Sequence, residues 1–172
     1  MSGNNTTTGT FTHSQGMVDF SGEWSGNYDK KEGATLQITG NPVVKGLLIL
    51  NGGDINMDLT QTPPSKISVY NAVSASGSNT LNIISSEDQT NYVLMQAASG
   101  IGSTTPYKVN MPDFEATLAA EDNNKLLLNA IYVGIDEYEA SPLHVYPNPT
   151  NGELISRICP PAYICCEWMG KW

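Results

Sequence analysis

Over residues 1–133, apolar positions recur at every second residue in short runs, and helical spacing is poor. In residues 54–59 (DINMDL), Ile55, Met57 and Leu59 fall on one side of an extended chain, with Asp54, Asn56 and Asp58 on the other. In residues 34–39 (ATLQIT), Leu36 and Ile38 share a face. Comparable runs cover 10–20, 43–50, 66–72, 80–85, 91–97, 107–111, 114–119 and 125–133. The best helical candidate, 114–128, reads equally well as strand.

Turn-forming clusters separate these runs: Gly40-Asn41-Pro42, Asn51-Gly52-Gly53, Pro63-Pro64, Gly77-Ser78-Asn79 and Gly100 to Gly102. Glycine and asparagine reach positive φ at little cost, and proline cannot continue a ladder. The pattern predicts an all-β body.

Two architectures satisfy this pattern. A β-sandwich needs about seven strands with two inner faces. A right-handed parallel β-solenoid, or β-helix, stacks short strands so that each buries a narrow apolar row. Short apolar runs with polar residues interleaved throughout favour the solenoid. Residues 33–59 (GATLQITGNPVVKGLLILNGGDINMDL) and 9–22 (GTFTHSQGMVDFSG) resemble rungs of large bacterial adhesins and autotransporter-like passengers. The resemblance covers 9–133, without a strict repeat period. It implies the end of a solenoid, with 113–133 as a cap over the last open edge.

Composition narrows the function. The chain has 172 residues, enough for one domain or one domain and part of another. Eight basic residues stand against 17 acidic ones, giving a net charge of -9. That argues against nucleic acid and anionic membrane surfaces as partners. No run approaches the ~18 apolar residues of a membrane helix, and residues 1–10 (MSGNNTTTGT) do not read as a signal peptide. Export therefore predicts a signal upstream and a chain that is part of a longer product.

Residues 134–141 (GIDEYEAS) are acidic and lack alternation, and read as a linker. The segment 142–172 follows. Within it, Tyr146, Pro147, Asn148, Pro149, Asn151 and Gly152, with Thr150 between the second proline and Asn151, form YPNPTNG. The two prolines fix φ and withhold donors, and Asn151-Gly152 favours a second turn. The motif resembles the start of the C-terminal sorting domain of type IX secretion cargo. That resemblance implies the secretion machinery as partner, and a secreted or cell-surface location for the parent protein. The pattern departs after Gly152. Only ELISRICPPAYICCEWMGKW remains, too little for the expected Ig-like sandwich. A truncated sorting domain ending in an aberrant Cys- and Trp-rich tail is expected.

Other constellations carry less. Cys159, Cys165 and Cys166 lie in the tail without zinc spacing. Asp54, Asn56 and Asp58 match the opening of a calcium loop, but Leu59 stands where glycine is needed. Asp19, Glu23, Asp29, Glu32, Asp113, Glu115, Glu121 and Asp122 offer no distinguishable pair for glycoside hydrolysis. His13 reads as a strand-surface residue, and His144 belongs to the sorting segment. Gly100-Ile101-Gly102 reads as a turn. Trp24, Tyr28, Tyr70, Tyr92 and Tyr107 read as packing or as sugar-stacking aromatics. No catalytic residue, cofactor or metal site is expected.

The expected function is a non-catalytic structural or adhesive segment of an exported surface protein, in contact with cell surfaces or polysaccharide. The alternatives are an accessory region of an exported polysaccharide-active enzyme or protease, and a carbohydrate- or Ca²⁺-binding β-module.

Overall fold

A computed structural model of the chain describes residues 4–6 and 8–133, with backbone alone for 4–5, and the backbone of strands at 146–147, 154–158 and 166–170. The protein is all-β, and no helix occurs among the described residues. In chain order the strands begin with β1 (Asn4–Asn5), β2 (Thr10–His13), β3 (Gly16–Phe20), β4 (Glu23–Trp24), β5 (Asn27–Lys31) and β6 (Ala34–Ile38). They continue with β7 (Val43–Val44), β8 (Leu48–Asp58), β9 (Ile67–Val69), β10 (Val73–Ile84), β11 (Gln89–Ala97) and β12 (Tyr107–Asn110). A hairpin of β13 (Phe114–Glu121) and β14 (Lys125–Tyr132) closes the first compact unit, Met1–Gly134. The second unit, Ile135–Trp172, holds β15 (Tyr146–Pro147), β16 (Leu154–Ile158) and β17 (Cys166–Gly170) in a small antiparallel sheet.

Two sheets build the first unit. One runs β1-β4-β7-β9-β11-β14-β13, the other β12-β10-β8-β5-β2, with β3 beside β6 and β6 beside β8. From β4 to β12 the chain alternates between the sheets, and only β5 to β6 stays within one. Every pair in the second sheet is parallel. The first is parallel from β1 to β11. The antiparallel pairing of a conventional sandwich is confined in this unit to β14 with β11 and β13. Neither sheet closes on itself.

The strand bounds depart from the sequence pattern in an instructive way. Residues 10–20 form two strands, and Asn27–Lys31 is a strand that its charged residues conceal. Asn51-Gly52-Gly53 lies inside β8, and Gly77-Ser78-Asn79 inside β10. Gly52, Gly53 and Gly77 all have positive φ. They bend the chain sharply, yet pairing resumes at once, with a register shift between Ser76 and Asn79. Turn residues here mark corners within long strands rather than strand ends.

Alternation in the strands places matching apolar residues in line across neighbouring rows. Phe20, Ile38, Met57 and Ile83 form one such file, and Val18, Leu36, Ile55, Leu81 and Val109 another. Trp24, Val44, Val69 and Ala97 form a third, in the other sheet. All join one buried cluster or pack against it. Each fully buried aliphatic side chain contributes about 1.5–3 kcal/mol relative to exposure. That burial, repeated row upon row, holds strands too short to persist alone.

Candidate functional site: polar rows on the second sheet

The outward positions of the second sheet are joined by side-chain amides. Asn56 Nδ2 donates to Gln37 Oε1 at 3.2 Å, Asn82 Nδ2 to Asn56 Oδ1 at 3.0 Å, and Asn110 Nδ2 to Asn82 Oδ1 at 2.8 Å. These partners are 19, 26 and 28 residues apart in the chain, yet they stand opposite one another in register. A second row links Asp29, Asn51 and Ser76. Asn51 Nδ2 donates to Asp29 Oδ1 at 2.9 Å, and Ser76 Oγ donates to Asn51 Oδ1 at 2.8 Å. An amide carries two N–H groups and two acceptor lone pairs, so each ladder bond uses only part of its capacity.

Asp54, Asn56 and Asp58 share the outer side of β8, as the alternation requires. Successive outward residues on a strand lie about 6.6 Å apart, too far for one small cation to be gripped by all three. Two of them are also engaged. Asn56 is held in the amide row, and Asp58 accepts from the Thr60 hydroxyl at 2.6 Å and from Gln61 Nε2 at 2.8 Å. Those bonds hold the Asp58 carboxyl below the usual carboxylate range.

The interior contains a polar string that the sequence did not reveal. His13, expected on the surface, is only 4% exposed. Its Nε2 lies 3.0 Å from the Gly16 carbonyl, and its Nδ1 lies 3.0 Å from the Tyr28 hydroxyl. A carbonyl only accepts, so Nε2 carries the proton and Tyr28 donates to Nδ1 in the neutral imidazole. Alternation explains the burial: His13 is two residues from Phe11, on the same side of β2. Lys30 faces His13 in register and is 0% exposed. Its Nζ donates to the carbonyl of Gly52. Burial pulls the ammonium down to about 8, with the Asp54 carboxylate acting against the shift. Beside it, Asn79 is also fully buried. Its Oδ1 accepts from Gly52 N–H at 3.0 Å, and its Nδ2 donates to the carbonyls of Ser76 and Pro106. Lys30 therefore fastens the Gly52 corner at its carbonyl and Asn79 at its N–H.

The remaining candidates are dispersed. Glu23, Asp29 and Glu121 pair with Lys45, Lys31 and Lys125 at 2.5, 2.8 and 2.5 Å. Asp19 lies on the outer side of β3, and Glu115 is exposed on β13. Glu32, Asp113 and Asp122 stand at corners and turns. Glu121 and Asp122 both act on the Lys125 ammonium, beside the β13–β14 turn. Trp24 and Tyr28 pack against Phe11 in an aromatic cluster that also takes in Phe20, beside Tyr28. Tyr107 is buried, and Tyr92 is half-buried with its hydroxyl donating to the Ser65 carbonyl. Of these candidate aromatics, Tyr70 is exposed, at 62%.

Of the sorting motif, Tyr146 and Pro147 form a short strand opposite Ile155 and Leu154. Asn148, Pro149, Asn151 and Gly152 lie outside the described residues, as do the 134–141 linker and the cysteines Cys159 and Cys165. No protein-family model matches the chain, and no curated protein matches it.

Proposed function

We propose that the first unit is the terminal part of a right-handed parallel β-solenoid, serving as a non-catalytic structural or adhesive segment of an exported surface protein. The observation that carries this reading is the amide row Gln37–Asn56–Asn82–Asn110, which joins strands far apart in the chain on one outward side. A stack of parallel rows with in-line core files is a scaffold, extended and self-similar. On this reading the β13–β14 hairpin is its cap, because β14 reverses direction and interrupts parallel addition. The likeness of YPNPTNG to type IX sorting segments supports export of the parent protein.

The test has two arms. The purified chain is incubated with a panel of polysaccharides and peptides, and turnover is followed. No turnover is expected, and reproducible cleavage of any of them overturns the reading. The coding sequence upstream is then read for further strand-and-turn runs. A catalytic domain there instead supports an accessory region of an exported enzyme.

A carbohydrate-binding module is the second reading, favoured by the unused amide valences along the outward rows. Retardation in polysaccharide-containing native gels, lost in Asn56→Ala/Asn82→Ala, distinguishes it from a purely structural face.

A further inference from the structure

We infer that β13 is a self-association edge, through which a second copy of this chain pairs antiparallel to the first. β13 is the last strand of its sheet, and among the described strands none pairs with its outer side. Its pairing with β14 runs without a slip from Phe114 opposite Tyr132 to Glu121 opposite Lys125. Edges of this length are ordinarily blunted by lysine, proline or a bulge. Residues 114–121 (FEATLAAE) contain no lysine or proline, no bulge interrupts them, and their two charges, Glu115 and Glu121, leave 116–120 uncharged between them.

The core is also incomplete at this edge. Phe114, Ala116 and Leu118 pack against the buried cluster but remain half-buried, while Thr117, Ala119 and Ala120 are exposed. On the neighbouring strand Tyr132, opposite Phe114 on this same side, is 44% exposed. An apolar layer thus reaches the rim of the sheet and stops there.

A second copy suits this rim because the strand is complementary to itself. Side chains directly opposite in an antiparallel pair lie on the same side of the sheet. A two-fold axis through Thr117 therefore preserves the inner and outer sides of both copies. In that register Phe114 meets Ala120 of the second copy, and Ala116 meets Leu118, large against small on the inner side. On the outer side Thr117 meets its own equivalent, and Glu115 meets Ala119. Within 114–120 no like charges stand opposite; one step further Glu121, already held by Lys125, comes against Asp113, which lies in the turn before the strand. Centring the pair one residue later, on Leu118, sets Glu115 against Glu121 and is disfavoured. The inference is independent of any reading of export or adhesion.

Sedimentation velocity on the full chain, under reductant so that tail cysteines cannot link copies, tests the proposal. The expected result is a reversible dimer at concentrations up to about 100 μM, a weak association. Thr117→Lys sets two ammonium groups against each other at the axis and is expected to leave monomer, with an unchanged melting temperature. Ala119→Lys, two residues away and equally exposed, faces Glu115 of the second copy and is expected to keep the dimer. If lysine at 117 compromises folding, Thr117→Glu poses the same repulsion. A wild-type chain that stays monomeric overturns the proposal. So does a dimer that survives both Thr117 variants, or one that Ala119→Lys abolishes.

Discussion

Asn82 donates its side-chain amide to Asn56 Oδ1 at 3.0 Å while its own Oδ1 accepts from Asn110, so one residue holds three rows together. Substituting Asn82 removes both bonds at once. A net contribution of about 0.5–1.5 kcal/mol per bond predicts that Asn82→Ala lowers stability by about 1–3 kcal/mol. Asn110→Ala removes one bond and is expected to cost less. Urea unfolding followed by tryptophan fluorescence measures both, and equal losses would contradict the ladder as a stabilising element.

Lys30 predicts an unusual pH dependence. Its folded-state value is about 8, well below the 10.5 of an exposed lysine. Between those values the unfolded chain holds more protons than the folded one, so stability rises with pH across the window. Below about 8 the buried cation is present in full and its cost is constant. Burial holds the Tyr28, Tyr92 and Tyr107 hydroxyls above their usual value, and they act in the opposite sense above about pH 10. Comparing urea midpoints at about pH 7.5 and 9.5 therefore isolates Lys30. The wild type is expected to gain stability over that interval, and Lys30→Met to lose the gain.

The Gly52-Gly53 corner predicts a contrast between glycines. At Gly53, with φ of 79°, an added Cβ would meet the carbonyls of Glu32 and Ala34 and the Lys30 ammonium. At Gly40, with φ of 66°, it would meet nothing within 4 Å. Gly40→Ala bears only the left-handed backbone cost, about 1–2 kcal/mol. Gly53→Ala adds a clash with backbone and is expected to exceed that by at least about 1 kcal/mol, or to prevent folding. Thermal melts of the two variants decide it.

The same corner predicts chemical durability. Asn-Gly sequences deamidate when the glycine nitrogen attacks the asparagine Cγ, forming a succinimide and releasing ammonia. Here Gly52 N–H is committed to Asn79, and the Asn51 amide is tied to Asp29 and Ser76. Peptide mapping after mildly alkaline incubation should find Asn51 intact in the wild type and deamidated in Asn79→Ala. Equal conversion in both would show that these bonds give no protection.

The all-β character and the paired sides of DINMDL were legible because alternation is local. Ile55 and Met57 are buried while Asp54, Asn56 and Asp58 face outward, as their spacing dictates. Lys30 was not legible. Its strand, NYDKK, has the composition of a loop, and its acceptor, Gly52, lies 22 residues away. His13 was misplaced because a polar side chain on a strand is ordinarily assigned to solvent. Its burial depends on Tyr28 in the next row, 15 residues on. The outward amides were visible as residues but not as a row, since only the register of distant strands aligns them.

The widening intervals along that row explain why no repeat emerges from the letters. Strands stay aligned while the chain between them lengthens: the surplus is taken up in the connections 59–66 and 98–106 and in β11, which is longer than β7 or β9. The periodicity of this protein is metric rather than textual: it is kept in ångströms across the sheet and lost in residues along the chain. A comparison that counts positions at fixed spacing would pass over it. One that asks which amide lies a strand's width from the next would recover it.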